Sequence, residues 1–321
     1  MKEKMKADCK TETIPSIRVD LTSGAFNGIR TEAQEKFQNL SRKGKELGMT
    51  VGVQLHNSAN SQQIENVLTF NCPISFHAPV GNPWNVNLAA ADDTLAWSLI
   101  EDNARRMRLY GADMAVFHSF IMTDLPVQAF GHGKSYTECM KQIFRKELSP
   151  DGVDCHCSDF FQLPEYRERL ERQNVRLEEV RKRYPDLTFC IETDFPAYGS
   201  GNIFAAEMTA MKHPICLDTS HLWCSCNILG HDYHAEIADF LRTGLVKMVH
   251  LHASVYTAET PHNVFWDGHL ALSTPNTMDL PRVVSACRRA GVRYFVLEIN
   301  QVTDDDLILL NRWWNRETGC E

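Results

Sequence analysis

The sequence of 321 residues predicts an α/β protein, a (β/α)8 TIM barrel with a long insertion after its fourth strand. Short apolar or β-branched runs alternate eight times with stretches of helical periodicity. Most of these runs are apolar almost throughout, which is typical of parallel strands that are covered by helices. Eight such units in one chain favour a closed barrel, and no Gly-x-Gly-x-x-Gly turn follows the first strand to indicate a nucleotide-binding open sheet.

The pattern places both the strands and the clearest helices. The predicted strands are residues 17–21, 50–56, 73–78, 114–119, 187–193, 215–221, 247–254 and 294–300. The helices with the clearest apolar stripe are 31–47, 92–110, 165–184 and 280–290. Gly48, Pro185 and Gly291 stand where three of these helices are expected to end.

One connection is much longer than an ordinary loop between a strand and a helix. We expect one barrel domain spanning residues 1–321, with about residues 120–163 forming an inserted loop or lid after the fourth strand. Loops of this length usually carry a binding or gating function. A second long loop separates Ser254 from Ser273.

The composition indicates which partners and which cellular compartment to expect. The 33 basic and 41 acidic residues give a net charge of -8, which does not favour a surface-wide attraction to nucleic acid or to an anionic membrane. No apolar run reaches the roughly 18–20 residues of a membrane span, and no apolar stretch follows the first lysines as in a secretory signal. The 11 scattered cysteines do not suggest a disulfide framework, so we expect a cytoplasmic protein without a membrane partner.

Imidazoles and carboxylates stand at the carboxyl ends of six predicted strands, where barrel enzymes carry out their chemistry. Any one of them alone is more often a structural residue. Together they would place several charges in one pocket that has almost no Arg or Lys, and unpaired buried carboxylates cost several kcal/mol each. Metal ions are the natural partners, and a mixture of imidazole and carboxylate suits Zn²⁺, Mn²⁺ or Fe²⁺. The residues are His77, His118, Glu192, Asp218, His221, His250, His252, Asp267, His269 and Glu298.

The motifs around these residues resemble a known superfamily. From about Ile17 to Asn300 the chain resembles the group that joins endonuclease IV, the family 2 AP endonucleases, to xylose isomerase-like sugar isomerases and epimerases. The most specific motif is Asp218-Thr-Ser-His221. The supporting motifs are Asn87-Leu-Ala89, Leu109-Tyr-Gly-Ala112 and Gly199-Ser200.

The resemblance implies one to three ions of Zn or Mn, held at up to three positions. The first position would be formed by His77 and His118, with Glu192 bridging to the second. The second would be formed by Asp218, His250 and Glu298, and the third by His221, Asp267 and His269. His250 matches the family pattern better than His252, although the two side chains point the same way and a swap stays open. The resemblance is also compatible with a homo-oligomer.

Two chemistries follow from the resemblance. The first is isomerisation or epimerisation of a sugar or sugar-like small molecule, with Glu192 and Glu298 transferring a proton at carbon and His221 orienting a hydroxyl. The alternative is an AP endonuclease-like phosphodiesterase acting on abasic DNA. The sequence lacks the Tyr that such a nuclease carries soon after the residue matching His77, and residues 56–62 offer no Arg or aromatic wedge. We therefore favour the isomerase.

A third hypothesis is a metal- or ligand-binding barrel without turnover. It draws on two Cys-x-Cys pairs, Cys155 with Cys157 and Cys224 with Cys226, which could bind a soft metal or act as redox thiols. The simpler interpretation of these cysteines is that they are small packing residues. Trp84 and Trp223 could likewise stack on a sugar ring or simply cover the core.

Overall fold

A computed structural model describes residues 16–152, 156–195, 197–261, 263–264 and 266–316. Eight parallel strands in this part of the chain close into a barrel in sequence order, and the last strand pairs with the first. The fold class is therefore confirmed. The strands are β1 (Arg18–Thr22), β2 (Thr50–Leu55), β3 (Ile74–His77), β4 (Met114–Phe117), β5 (Thr188–Glu192), β6 (Ile215–Asp218), β7 (Val246–His250) and β8 (Tyr294–Leu297).

Helices follow the strands and cover the outside of the barrel. Their bounds are α1 (Arg30–Glu46), α2 (Ser61–Leu68), α3 (Thr94–Tyr110), α4 (Tyr136–Met140), α5 (Pro164–Arg183), α6 (Ala205–Ala210), α7 (Thr219–Leu229), α8 (Tyr233–Arg242), α9 (Leu280–Arg289) and α10 (Asp304–Asn315). The four helices predicted from periodicity agree with α1, α3, α5 and α9 to within two residues. Among the described helices, none has both the length and the apolar character that a membrane span needs.

From the second strand onward, the predicted strands extend too far at their carboxyl ends. The largest error is in the seventh, which is predicted to run through residue 254 but stops at His250. The sixth is predicted to run through residue 221, but the observed strand stops at Asp218 and a helix begins at Thr219. The Asp218 side chain accepts hydrogen bonds from the backbone N–H groups of Ser220 and His221, which caps the helix at its first turn. A run of apolar and β-branched residues cannot reveal where such a cap ends a strand.

Alternation along the strands builds two cores. Side chains on one face of each strand pack against the helices, whereas those on the other face fill the barrel. The interior cluster is formed by Val116, Cys190, Cys216, Met248, Tyr294 and Val296. Because successive inward positions are two residues apart, Cys190, Cys216 and Val296 lie one layer below Glu192, Asp218 and Glu298.

The insertion after β4 folds back against the carboxyl ends of the neighbouring strands. It contains α4 and two short 3-10 turns, Lys141–Ile143 and Lys146–Leu148. Its buried residues Ile121 and Met140 pack in one cluster with Ala197 and Tyr198 from the loop after β5. The predicted insertion is confirmed. The prediction of one domain spanning residues 1–321 stays a prediction, since both ends of the chain lie outside the described residues.

A buried carboxylate lies in the barrel toward the amino ends of the strands. Asp20 on β1 is fully buried and accepts hydrogen bonds from Arg18 at 2.9 Å, Ser75 at 2.7 Å and Tyr294 at 2.5 Å. These donors come from β1, β3 and β8. The carboxylate therefore holds together strands that are far apart in the sequence.

We predict that Asp20→Ala will lower the free energy of unfolding by about 3–5 kcal/mol, because it leaves the Arg18 guanidinium and two hydroxyl groups without their buried acceptor. Asp113→Ala is the matched control. Asp113 pairs with the same guanidinium at 3.5 Å but is exposed, so its loss should cost less than about 1 kcal/mol. Urea unfolding of both variants tests this, and similar losses for the two would contradict it.

Candidate metal centre

Glu192, at the end of β5, lies at the middle of the polar strand ends. It is completely buried. Its Oε2 lies 3.1 Å from Nε2 of His77 and 3.3 Å from Nε2 of His118, while its Oε1 lies 2.7 Å from Nδ1 of His250. The side chains of β3, β4, β5 and β7 thus meet at one carboxylate.

Two further carboxylates approach His250 from the adjacent strands. Glu298, just after β8, places Oε1 at 3.3 Å from Nδ1 of His250. Asp218 uses Oδ1 to cap α7, and its Oδ2 lies 3.7 Å from the same nitrogen. Glu192, Asp218, His250 and Glu298 each offer a ligand atom, and these four atoms lie within 4.8 Å of one another. One divalent ion fits this set by distance and by chemistry.

A third group forms on the other side of Asp218. Asp267 Oδ2 lies 2.9 Å from Nε2 of His221 and 3.3 Å from Nε2 of His269. Gly268 lies between the two ligands with φ +120°, and a Cβ there would lie 2.4 Å from the carbonyl oxygen of Ala253. Glycine is therefore required for Asp267 and His269 to face the same point.

Three of these imidazoles are anchored through Nδ1. Nδ1 of His118 contacts Asp194, Nδ1 of His221 lies 2.8 Å from the carbonyl oxygen of Thr193, and Nδ1 of His269 lies 3.0 Å from that of Glu298. Hydrogen bonds of this kind fix the ring and its tautomer at metal sites. They direct Nε2 of each ring toward the carboxylates.

His250, the last residue of β7, and His252, two residues further on, make different contacts. His250 contacts Glu192 and Glu298, whereas Nε2 of His252 lies 3.3 Å from Asp218 Oδ2 and its ring stacks on His269 at 4.4 Å. All nine predicted ligands, with His252, therefore come together. Their assignment to particular ions stays a prediction, as does the preference for His250.

The electrostatics of the group fit a cation. In the part of the chain that the structure describes, the buried oxygens Glu192 Oε2, Asp267 Oδ2 and Glu298 Oε1 lie within 3.3 Å of imidazole nitrogens but accept no well-aligned hydrogen bond. No Lys or Arg from this part lines the cavity over the group. A buried carboxylate oxygen without a donor is costly, and a metal ion is the partner that this set of ligands accommodates.

Without a metal, the charges pair with one another. Burial lowers the pKa of an imidazole, but Glu192 and Asp194 outweigh this effect and raise the pKa of His118 to about 9. Burial opposes protonation of His269 as well, yet Asp267 raises the pKa of that imidazole to about 10. Burial raises the pKa of Glu192, but the imidazoles of His250 and His118 hold it well below its ordinary value. The metal-free group is thus a cluster of imidazolium–carboxylate pairs at neutral pH.

A cavity of about 270 Å³ opens over this group. Its polar wall includes His77, His118, His221 and Glu298, and its opposite wall is mainly apolar. The apolar wall is formed by Ile121, Phe130, Tyr136, Met140, Phe195 and Trp266, four of which come from the insertion after β4. The insertion therefore contributes directly to the candidate site.

Among the imidazoles and carboxylates that line the cavity, sequence reasoning missed His56 and Asp194. His56 lies one residue after β2, and its ring is 4.7 Å from that of His77. It shows the same signal as the predicted ligands, an imidazole at a strand end. Asp194 lies beyond the end of β5, where no periodicity indicates which way a side chain points. The aromatic residues of the insertion gave no signal either, since their position depends on how the loop folds back.

Cys224 and Cys226 take no part in the group. Cys224 and Cys226 lie buried within α7, where burial raises the pKa of both thiols well above its ordinary value. This favours the packing interpretation over a redox role. Cys157 is buried as well, and Cys155 lies outside the described residues. Trp84 and Trp223 do not line the cavity, and the tryptophan found there is Trp266.

No family model and no curated protein matches this chain significantly. Solved structures do match its fold. A D-tagatose 3-epimerase-like protein superposes with a TM-score of 0.58 at 12% identity, over 92% of this chain and 94% of the other. A 3-keto-D-glucoside 4-epimerase from E. coli gives 0.54 at 15% identity, over 92% and 99%. Endonuclease IV from Thermus thermophilus gives 0.51 at 14% identity, over 93% and 97%.

The fold is the (β/α)8 barrel of these solved structures. Sugar epimerases and endonuclease IV both share it with this chain, so the resemblance seen in the sequence is confirmed at the level of the fold. At these identities the likeness does not distinguish an epimerase from a nuclease, and the choice depends on the geometry of the site.

We predict that metal uptake at pH 7 will release protons, because imidazoles with raised pKa values, such as His118 and His269, must lose a proton before a nitrogen can bind a metal. The affinity for Zn²⁺ should therefore rise as the pH increases from 7 toward 10. Titration calorimetry in two buffers of different ionisation enthalpy measures the protons released. Equal heats in both buffers would contradict the prediction.

Proposed function

We propose that this protein is a metal-dependent isomerase or epimerase of a sugar or sugar-like small molecule. The observation that carries the proposal is the group Glu192, Asp218, His250 and Glu298, which lies beside a small cavity walled in part by the insertion. The cavity volume of about 270 Å³ is close to the lower end of the ~300–1,000 Å³ found for small-molecule sites. Sugar epimerases have the same fold, so this chemistry is compatible with the barrel.

The two glutamates suit proton transfer at carbon. A bound divalent ion would polarise adjacent oxygen atoms of the substrate. Glu192 and Glu298 reach the site from β5 and β8, which lie on different sides of the barrel. The low pKa of Glu192 in the metal-free group keeps its carboxylate ionised at neutral pH, which is the form that a general base requires. We assign removal and return of a carbon-bound proton to these two side chains.

His221 has the position of a group that orients the substrate. Its Nδ1 is held by the carbonyl oxygen of Thr193, and its Nε2 lies 2.9 Å from Asp267 at the edge of the cavity. An imidazole fixed in this way offers a directed hydrogen bond to a substrate hydroxyl.

A phosphodiesterase that acts on abasic DNA is the second candidate. The observation in its favour is that His77 with His118, and His221 with Asp267 and His269, add ligands beyond those that one ion requires. Hydrolysis of a phosphodiester uses two or three ions. Against it, the lining of the cavity includes no Lys or Arg in the described residues, and proteins bind DNA largely by neutralising its phosphates.

We predict that Glu192→Gln will lower turnover at least about 100-fold while leaving the fold intact, because the amide neither accepts the carbon-bound proton nor carries the charge that a metal requires. The measurement is the exchange of the carbon-bound proton with deuterated solvent, which NMR detects for each ketose of a panel. Glu65→Gln, which changes an exposed carboxylate on α2, is the control and should leave exchange unchanged. Undiminished exchange in Glu192→Gln would remove this residue from the mechanism.

We also predict that ketoses without phosphate will be turned over with a kcat/KM at least about tenfold higher than their phosphate esters, since no Lys or Arg of the described chain is placed to bind a phosphate group. Parallel assays on ketoses, ketose phosphates and an abasic duplex test this. Strand nicking with more than two bound metals would favour the phosphodiesterase. Metal retention without either activity would favour a binding protein without turnover.

A further inference from the structure

Gln54 lies inside the barrel on β2, next to the candidate metal centre. It is completely buried. Its amide nitrogen lies 3.1 Å from Nε2 of His250 and 3.4 Å from the sulfur of Met248. Its amide oxygen is buried without a hydrogen-bond partner among the described residues. A glutamine in the apolar interior of a barrel needs a specific reason to be there.

His250 faces the carboxylates with the opposite nitrogen from the other anchored histidines. His118, His221 and His269 are held through Nδ1 and present Nε2. His250 presents Nδ1 to Glu192, and its Nε2 faces Gln54. Only Nδ1 of His250 can therefore reach an ion that is held by the carboxylates.

This orientation requires a hydrogen-bond acceptor at Nε2. A neutral imidazole that binds a metal through Nδ1 carries its proton on Nε2, and a metal-free imidazolium carries a proton there as well. A buried N–H without an acceptor is costly, and the structure therefore needs an oxygen beside this nitrogen. The carboxamide of Gln54 is the polar group in that place, and its oxygen is the acceptor it offers.

A half turn about the last bond of the Gln54 side chain exchanges its oxygen and nitrogen while the rest of the residue stays in place. As placed, the amide N–H donates to the sulfur of Met248 and leaves Oε1 without a partner among the described residues; a thioether is a weak acceptor, so this contact constrains the orientation little. A proton on Nε2 of His250 determines the orientation, because the amide oxygen can accept it and the amide nitrogen cannot.

We infer that Gln54 is a positioning residue that sets the tautomer of His250. Its Oε1 accepts the Nε2–H of the imidazole and so leaves the lone pair of Nδ1 directed at Glu192, Asp218 and Glu298. The inference rests on the metal-binding part of the proposed function and does not depend on which reaction the ion serves. Hydrogen-bond partners of this kind typically change metal affinity about 10–100-fold when they are removed.

Three variants test the role of the acceptor. Gln54→Leu removes it, Gln54→Glu keeps an oxygen in its place, and Met248→Leu removes the sulfur that contacts the carboxamide but leaves the acceptor present. We expect about 10–100-fold weaker binding of Zn²⁺ and Mn²⁺ in Gln54→Leu, measured by competition with a chelator. Met248→Leu should bind like the wild type, and Gln54→Glu should regain most of the loss. Wild-type affinity in Gln54→Leu, or an equal loss in Met248→Leu, would overturn the inference.

A measurement on the wild-type protein does not depend on whether any variant folds. Nitrogen-15 NMR of labelled histidines in the Zn²⁺ protein distinguishes a metal-bound ring nitrogen from a protonated one, and His250 should show metal on Nδ1 and a proton on Nε2. Metal on Nε2, or a chain that binds no ion, would overturn the assignment. A protein that binds the ion through Nδ1 but exchanges no sugar proton would contradict the proposed isomerase activity. It would not contradict the role of Gln54.

Discussion

The contact of one buried carboxylate, Glu192, with three imidazoles is the interaction on which the candidate site depends. A carboxylate that is fully removed from water must be paired, and His77, His118 and His250 provide the pairing from three different strands. The same arrangement explains why the metal-free group holds protons at neutral pH and why a divalent ion could replace them. The Glu192 carboxylate is paired with imidazoles in the metal-free group, and a bound ion would pair with it in their place.

The barrel makes this convergence possible through a simple repeat. Each inward-facing position lies two residues from the next, so a small or apolar residue inside the barrel is followed by a polar residue at its mouth. Cys190 precedes Glu192 in this way, and Val296 precedes Glu298. At the other end, Asp20 ties three strands together. The polar groups therefore lie at the two ends of the barrel, and Gln54 is an exception whose place is explained by His250.

The insertion after β4 forms part of the wall of the cavity beside the centre. It brings apolar and aromatic side chains to the wall that faces the imidazoles and carboxylates. The cavity is thereby polar on one side and apolar on the other, as small-molecule sites commonly are. Endonuclease IV and the sugar epimerases share the fold, so the barrel alone does not select between phosphodiester cleavage and proton transfer. The wall and its lack of Lys and Arg in the described chain favour the smaller substrate.

The sequence by itself determined the eightfold alternation, the barrel, the insertion and the nine side chains that meet at its mouth. It could do so because strand periodicity and residue type are local properties that parallel strands convert into a shared location. Tertiary structure alone decided that Asp218 ends its strand by capping a helix, that Asp194 and His56 join the site, that the insertion supplies an aromatic wall, and that His250 faces the carboxylates through Nδ1. These features depend on contacts between residues far apart in the chain, such as Gln54 and His250, and no local pattern specifies them.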